Sequence, residues 1–131
     1  MTNPEPKRPT DSELAILKVI WDIGPATVAQ VHDVMTASKK TGFTTTQKLM
    51  QIMTAKGLLT AETSRRPFLY SGSESASAMK SKLVADFTDK VFDGSVSQLL
   101  QQAIGHDAVS EEELDALASY IRQKRRERTE Q

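Results

Sequence analysis

Cysteine is absent from the 131-residue chain, which removes disulfide frameworks, thiolate metal sites and thiol nucleophiles together. Histidine occurs only at His32 and His106, so a metal centre has almost nothing to be built from, and neither a metal nor a cofactor is expected. No run approaches the ~18 apolar residues that a membrane helix needs, and the Pro-rich start, with Pro4, Pro6 and Pro9, lacks the order of a signal peptide. A cytoplasmic chain without membrane insertion is expected. Phosphate-binding glycine loops, GxSxG and HExxH are missing as well. His32 beside Asp33 reads as an exposed polar pair and Glu111-Glu112-Glu113 as the start of a helix, so no enzyme is expected.

Net charge is also lacking, with 17 basic against 17 acidic side chains, but the distribution is uneven. Residues 1–73 carry nine Lys/Arg against six Asp/Glu, and residues 74–131 carry eight against eleven. Between 39 and 66, Lys39, Lys40, Lys48, Lys56, Arg65 and Arg66 face a single acid, Glu62. Such a chain can present one basic face to a polyanion while the rest stays solvated.

What is present is a series of capped amphipathic segments. Thr10-Asp11-Ser12-Glu13 fits a capping box and opens a helix whose apolar face is Leu14, Ile16, Leu17, Ile20 and Trp21, stopped by Gly24-Pro25. Thr27-Val28-Ala29-Gln30 opens a second, with Val28, Val31, Val34 and Met35 facing inward. Thr44-Thr45-Thr46-Gln47 is read as the cap of a third, ending at Lys56-Gly57, where glycine suits the left-handed C′ position. Leu58–Thr63 and Arg66–Ser71 around Ser64-Arg65 read as a β-hairpin, with Pro67 confined to an edge or a strand start. From Ser75 the pattern is helical again: a stripe of Met79, Leu83, Phe87 and Val91, then a short helix carrying Leu99 and Leu100 behind Ser95. A last helix behind Ser110 has Leu114, Leu117 and Ile121 as its apolar face.

Helix, helix, turn, helix and hairpin in that order is the layout of a winged helix-turn-helix, whose third helix enters the DNA major groove. The wheel of the third helix agrees with this. Thr46, Leu49, Met50 and Met53 share the side that packs inward, whereas Thr44, Thr45, Gln47, Lys48, Gln51 and Ile52 share the other. Gln pairs with adenine, Thr with a base edge or a thymine methyl, and Lys with guanine or phosphate. Ile52 suits a thymine methyl or is covered by the hairpin. Arg65 and Arg66 stand at the hairpin tip, where phosphate contacts belong.

The chain resembles the penicillinase-repressor family of bacterial regulators, which includes methicillin-resistance and copper-responsive repressors. The matching segments are Glu13-Leu14-Ala15-Ile16-Leu17-Lys18-Val19-Ile20-Trp21, Gly24-Pro25-Ala26-Thr27-Val28 with Val31-His32, Phe43-Thr44-Thr45 and Lys56-Gly57-Leu58-Leu59. Phe68-Leu69-Tyr70-Ser71 and Phe92-Asp93-Gly94-Ser95 with Leu99-Leu100 continue the match. The resemblance implies a dimeric winged-helix repressor that binds inverted-repeat operators, often with TACA/TGTA half-sites, and dimerises through its C-terminal helices. Recognition helices of the family often have Thr where this chain has Lys48 and Arg where it has Ile52. Antibiotic-responsive members are released through a membrane metallopeptidase sensor, an indirect partner, with cleavage at an Asn-Phe bond where Gln102-Ala103 stands here. The copper-responsive route needs cysteines that this chain lacks.

The expected architecture is therefore mainly α with a small β-hairpin. An arm without fixed structure over 1–9 precedes a winged helix-turn-helix over 10–73, a C-terminal helical dimerisation region over 74–126 and a disordered tail over 127–131. The C-terminal helices are too few to form a robust core alone. Either two copies pack through Met79, Leu83, Phe87, Val91, Leu99, Leu100, Leu114, Leu117 and Ile121, or these helices fold back on their own winged helix. The function expected is that of a homodimeric, sequence-specific repressor of double-stranded DNA. The competing readings are a winged-helix protein-interaction module without sequence-specific DNA binding, and a ligand-sensing repressor with Phe87 and Phe92 lining a pocket.

Overall fold

The computed structural model describes residues 8–105 and 108–130. The expected arm lies outside the described residues apart from Arg8 and Pro9, as do His106, Asp107 and Gln131. Six helices and a two-stranded antiparallel sheet follow in the order α1 (Asp11–Ile23), α2 (Val28–Thr36), α3 (Phe43–Ala55), β1 (Leu59–Glu62), β2 (Leu69–Gly72), α4 (Ala76–Phe92), α5 (Val96–Ile104) and α6 (Glu111–Thr129). The chain divides into two compact units, Met1–Leu83 and Val84–Gln131.

In the first unit, two of the three expected capping boxes form in full. The Thr10 hydroxyl accepts from Glu13 N–H and the Glu13 carboxylate accepts from Thr10 N–H, and Thr27 and Gln30 repeat the exchange. Each box satisfies two of the donors that a helix start leaves open. The expected box at Thr44–Gln47 does not form: α3 starts one residue earlier, with Gly42 as its N-cap and no side-chain cap bond. Tertiary contact sets this start, because Phe43 packs edge-on against His32 at 5.5 Å between ring centroids. The other end of α3 behaves as expected. Gly57 takes φ +85°, its N–H donates to Thr54 O, and Leu58 N–H donates to Met53 O. This is the doubly bonded left-handed helix stop, with Met53 and Leu58 both buried beneath it.

The strands pair from Leu59 with Gly72 to Glu62 with Leu69. A third, one-residue strand joins them, since Ala26 and Tyr70 exchange both backbone hydrogen bonds at 3.0 and 2.8 Å. The Gly24-Pro25 break therefore delivers Ala26 to the sheet besides ending α1. Ile16, Leu17, Ile20, Ala26, Val31, Met50, Met53, Leu58, Leu59 and Tyr70 form the core. Val34, expected inward on α2, is 43% exposed, because the one stripe that α2 buries runs through Val31.

Met79 belongs to the same core at 6% exposure, and Leu83 packs against it. The expected boundary at 73/74 is thus ten residues early, and the first two turns of α4 complete the winged-helix unit. Met79 and Leu83, expected in a dimer face, pack on the winged-helix core of their own chain.

The second unit differs in kind. No residue of α5 or α6 is buried. Phe87, Val91 and Ile121 are each about half exposed, at 52%, 56% and 49%, while Leu99, Leu100, Leu114 and Leu117 are partly covered. The helix starts are well made, with Ser95 accepting from Gln98 N–H and Ser110 from Glu113 N–H. The expected tail over 127–131 is helical through Thr129. Glu127 pairs with Lys124 at 3.4 Å, and Arg126 and Arg128 lie in the last turn, where cations oppose the helix dipole. No helix among the described residues is long and apolar enough to cross a membrane.

Candidate nucleic-acid interface

The open face of α3 is set by how the helix is anchored. Thr46, Met50 and Met53 are buried on α3, and Leu49 packs against the core they enter. At 100° per residue, Thr44, Thr45, Gln47, Lys48, Gln51 and Ile52 fall within an arc of about 160° centred opposite that buried stripe. All six are exposed. Ile52 is 41% exposed, so the hairpin does not cover it and its branched side chain stays open to a methyl group.

The hairpin tip spans the loop between Glu62 and Leu69, and Arg65 and Arg66 are exposed on it. The Arg66 guanidinium lies over the Phe68 ring, 5.3 Å from its centroid, which restrains the cation by a favourable face contact. The eight side chains expected to meet DNA are therefore all solvent-accessible, six on one helix face and two at the wing tip. Their chemistry is that of hydrogen-bond donors and acceptors with one apolar side chain, Ile52, on the helix and of cations on the wing.

Two supporting residues escaped the sequence reading. His32 Nδ1 lies 3.4 Å from the Thr46 hydroxyl, which is nearly buried, while the His32 ring meets Phe43. His32, expected as half of an exposed His–Asp pair, thus joins α2 to the first turn of α3. Its position directly after the buried Val31 was the available signal. Phe43 is 45% exposed, an aromatic ring on the rim of the open face of α3 that a hydropathy pattern assigns to the core. Among the described residues, no group of three or more potential metal ligands occurs.

A family model described as penicillinase repressor matches residues 9–123. The chain belongs to the penicillinase repressor family. Membership makes it a DNA-binding transcriptional repressor with a winged helix, and the family is not a class of enzymes. No curated relative matches the chain. Among solved structures, a MarR family protein from Bacillus stearothermophilus is similar at 17% identity and a TM-score of 0.52, over 92% of this chain and 75% of that one. The monomeric form of Bacillus licheniformis BlaI, solved in complex with the blaP half-operator, is similar at 23% identity and a TM-score of 0.49, over 56% of this chain and 89% of that one. At these identities the likeness concerns the fold alone.

Proposed function

We propose that this member of the penicillinase repressor family is a homodimer that occupies an inverted-repeat operator and blocks transcription by occlusion. The observation that carries the reading is the two-sided α3, buried along Thr46, Met50 and Met53 and polar and open along Thr44, Thr45, Gln47, Lys48, Gln51 and Ile52. In this reading those six side chains meet base edges, and Arg65 and Arg66 hold phosphates. Phosphate contacts supply salt-dependent affinity and base contacts supply sequence choice.

The dimer reading rests on the second unit. Its apolar residues Phe87, Val91, Leu99, Leu100, Leu114, Leu117 and Ile121 have no buried core to enter within their own unit, and a second copy would cover them. A two-fold dimer sets two recognition helices at successive openings of one groove, about 34 Å apart or a multiple of that. Such a repressor works where the chromosome is, in the cytoplasm. A membrane metallopeptidase sensor is the indirect partner that the family likeness suggests. Gln102 and Ala103, at the place of the cleaved bond, are exposed on α5.

The test is selection of duplexes from a random pool by the purified protein at about 150 mM salt, where non-specific phosphate attraction is damped. Enrichment of an inverted repeat is expected. A folded sample that enriches no sequence would overturn the reading in favour of a protein-interaction winged helix.

A further inference from the structure

Behind Ile121 the last helix changes character. Residues 122–128 hold Arg122, Lys124, Arg125, Arg126 and Arg128 against one acid, Glu127, and no apolar side chain follows to the end of α6. All five cations are exposed. Lys124 pairs with Glu127 at 3.4 Å, and Arg122 donates to the Ser119 hydroxyl. Among the described residues the four arginines have no acidic partner within ion-pair distance. The acids of the same helix, Glu111 to Asp115, end about 10 Å short of Arg122 at 1.5 Å per residue, which exceeds a Debye length of about 8 Å. The helix dipole acts within the last turn, so it accounts for Arg126 and Arg128 but not for Arg122 and Arg125. Arg122 with Arg125 and Arg126, and Arg128 with Lys124 and Arg125, stand three or four residues apart, where like charges on a helix repel. A polyanion laid along this end would relieve that repulsion.

We propose that the end of α6 is a second DNA-contacting element, which holds backbone phosphates of the duplex outside the two half-sites. The proposal rests on the DNA-binding reading above and adds a surface that belongs to neither α3 nor the wing. The occupant follows from what the segment offers and what it lacks. A lipid surface needs an apolar face to bury and a protein partner needs an apolar anchor, and residues 122–129 supply neither. Duplex DNA requires neither, because its charge is dense and guanidinium groups pair with phosphate through two donors. A second copy over the Leu114–Leu117–Ile121 stripe would leave Arg122 and Arg126 open, since at 100° per residue they lie about 110° and 150° from its centre. Phosphate contacts carry no base information, so this end adds salt-dependent affinity in longer DNA and leaves the half-site unchanged.

The experiment compares the full wild-type chain with a variant carrying Arg122→Gln, Arg125→Gln, Arg126→Gln and Arg128→Gln, by fluorescence anisotropy over a salt series. One duplex is trimmed to the selected inverted repeat, and the other extends it at each end by about ten base pairs, roughly one helical turn. On the extended duplex the slope of log K against log salt should be smaller by about 1.8 in the variant, one phosphate contact per subunit at about 0.9 each. On the trimmed duplex the two slopes should agree. Both proteins should select the same half-site and sediment with the same dimer constant. Changing the same four residues to lysine keeps the charge and should keep the slope, which separates lost contacts from a lost helix. Equal slopes for wild type and the glutamine variant on the extended duplex would overturn the inference. Capture of wild type but not the variant by phosphatidylglycerol vesicles, with those slopes equal, would assign the cations to a lipid surface instead. A weaker dimer in the glutamine variant would also overturn it, in favour of these arginines pairing with the acids of a second copy. Each of these failures leaves operator selection by wild type intact, whereas failure of the DNA-binding reading leaves wild type with no selected sequence.

Discussion

Glu13, near the start of α1, accepts a 2.6 Å hydrogen bond from the ammonium of Lys56, which caps the end of α3 43 residues later. The same carboxylate oxygen accepts from Thr10 N–H at 2.9 Å. One buried side chain therefore closes the first turn of α1 and tethers the end of α3. Burial by itself would raise the Glu13 carboxyl, but the hydrogen bond from Lys56, the Thr10 backbone donor and the Lys56 charge outweigh it, and the pKa lies below the ordinary value of 4.5.

Because the folded value is depressed, ionised Glu13 stabilises the fold at neutral pH, and that contribution is lost as pH falls through 4.5 toward the lower folded value. Thermal melts of wild type should lose stability across that window. Glu13→Gln should melt lower than wild type at pH 7, by about 1–2 kcal/mol, and should lose less on acidification. Equal pH dependence in the two proteins would refute the assignment.

A second prediction concerns the seam where β2 meets α1. Trp21 Nε1 donates to Glu74 O at 3.2 Å, and a β-carbon built on Gly72 would lie 2.9 Å from that same indole nitrogen and 3.1 Å from the Glu74 carbonyl oxygen. Neither a buttressed indole nor a backbone carbonyl yields cheaply. Gly72→Ala should therefore destabilise the protein by about 1–3 kcal/mol, the usual cost of overpacking, as read by urea denaturation. Gly42→Ala, whose added carbon meets only the Thr45 hydroxyl at 3.9 Å, should come within about 0.5 kcal/mol of wild type.

Much of this was legible in the sequence, for stated reasons. The Thr10 and Thr27 boxes, the Gly57 stop and the Thr46–Met50–Met53 stripe are local or periodic signals, and each formed as read. What depended on distant partners was not legible. The Glu13–Lys56 bond joins residues 43 apart in sequence, the Ala26–Tyr70 bridge is a strand one residue long, and His32 declares its role only once α2 lies against α3. Met79 was misassigned because a helical stripe records which residues seek burial and says nothing about which neighbour supplies it. The open face of α3 was readable for the opposite reason: polar side chains at helical spacing need no partner in the chain to remain exposed.

That face supports a third prediction. Lys48→Ala and Gln51→Ala remove exposed groups, so melting temperature should stay within a degree or two of wild type, since surface changes usually cost less than about 0.5 kcal/mol. Operator affinity should fall by about 1–3 kcal/mol for each lost base contact, as measured by fluorescence anisotropy. Lys48→Thr combined with Ile52→Arg, which restores the residues common in family recognition helices, should move the selected half-site toward TACA/TGTA. Wild-type selection by the double variant would place base reading elsewhere.

The last prediction tests the second unit as the source of dimerisation. Leu83 is a poor place to introduce a charge for this purpose, because it packs on the winged-helix core and its loss would confound assembly with folding. Phe87 and Ile121 are cleaner sites, at 52% and 49% exposed, so a carboxylate at either meets water in the free chain and is buried only if a second copy covers it. Burying such a charge unpaired is costly, and Phe87→Asp with Ile121→Asp should run as a monomer in analytical ultracentrifugation while keeping the winged-helix melting transition. The monomer retains one recognition helix and one wing, so it should bind a half-site nearly as well as wild type does. On the full inverted repeat it loses the second, linked contact and should bind at least about a hundredfold more weakly, by the arithmetic of effective concentration. Undiminished dimerisation in the double variant would locate the interface outside these helices, and equal affinity of the monomer for the full operator would remove the dimer from the mechanism of repression.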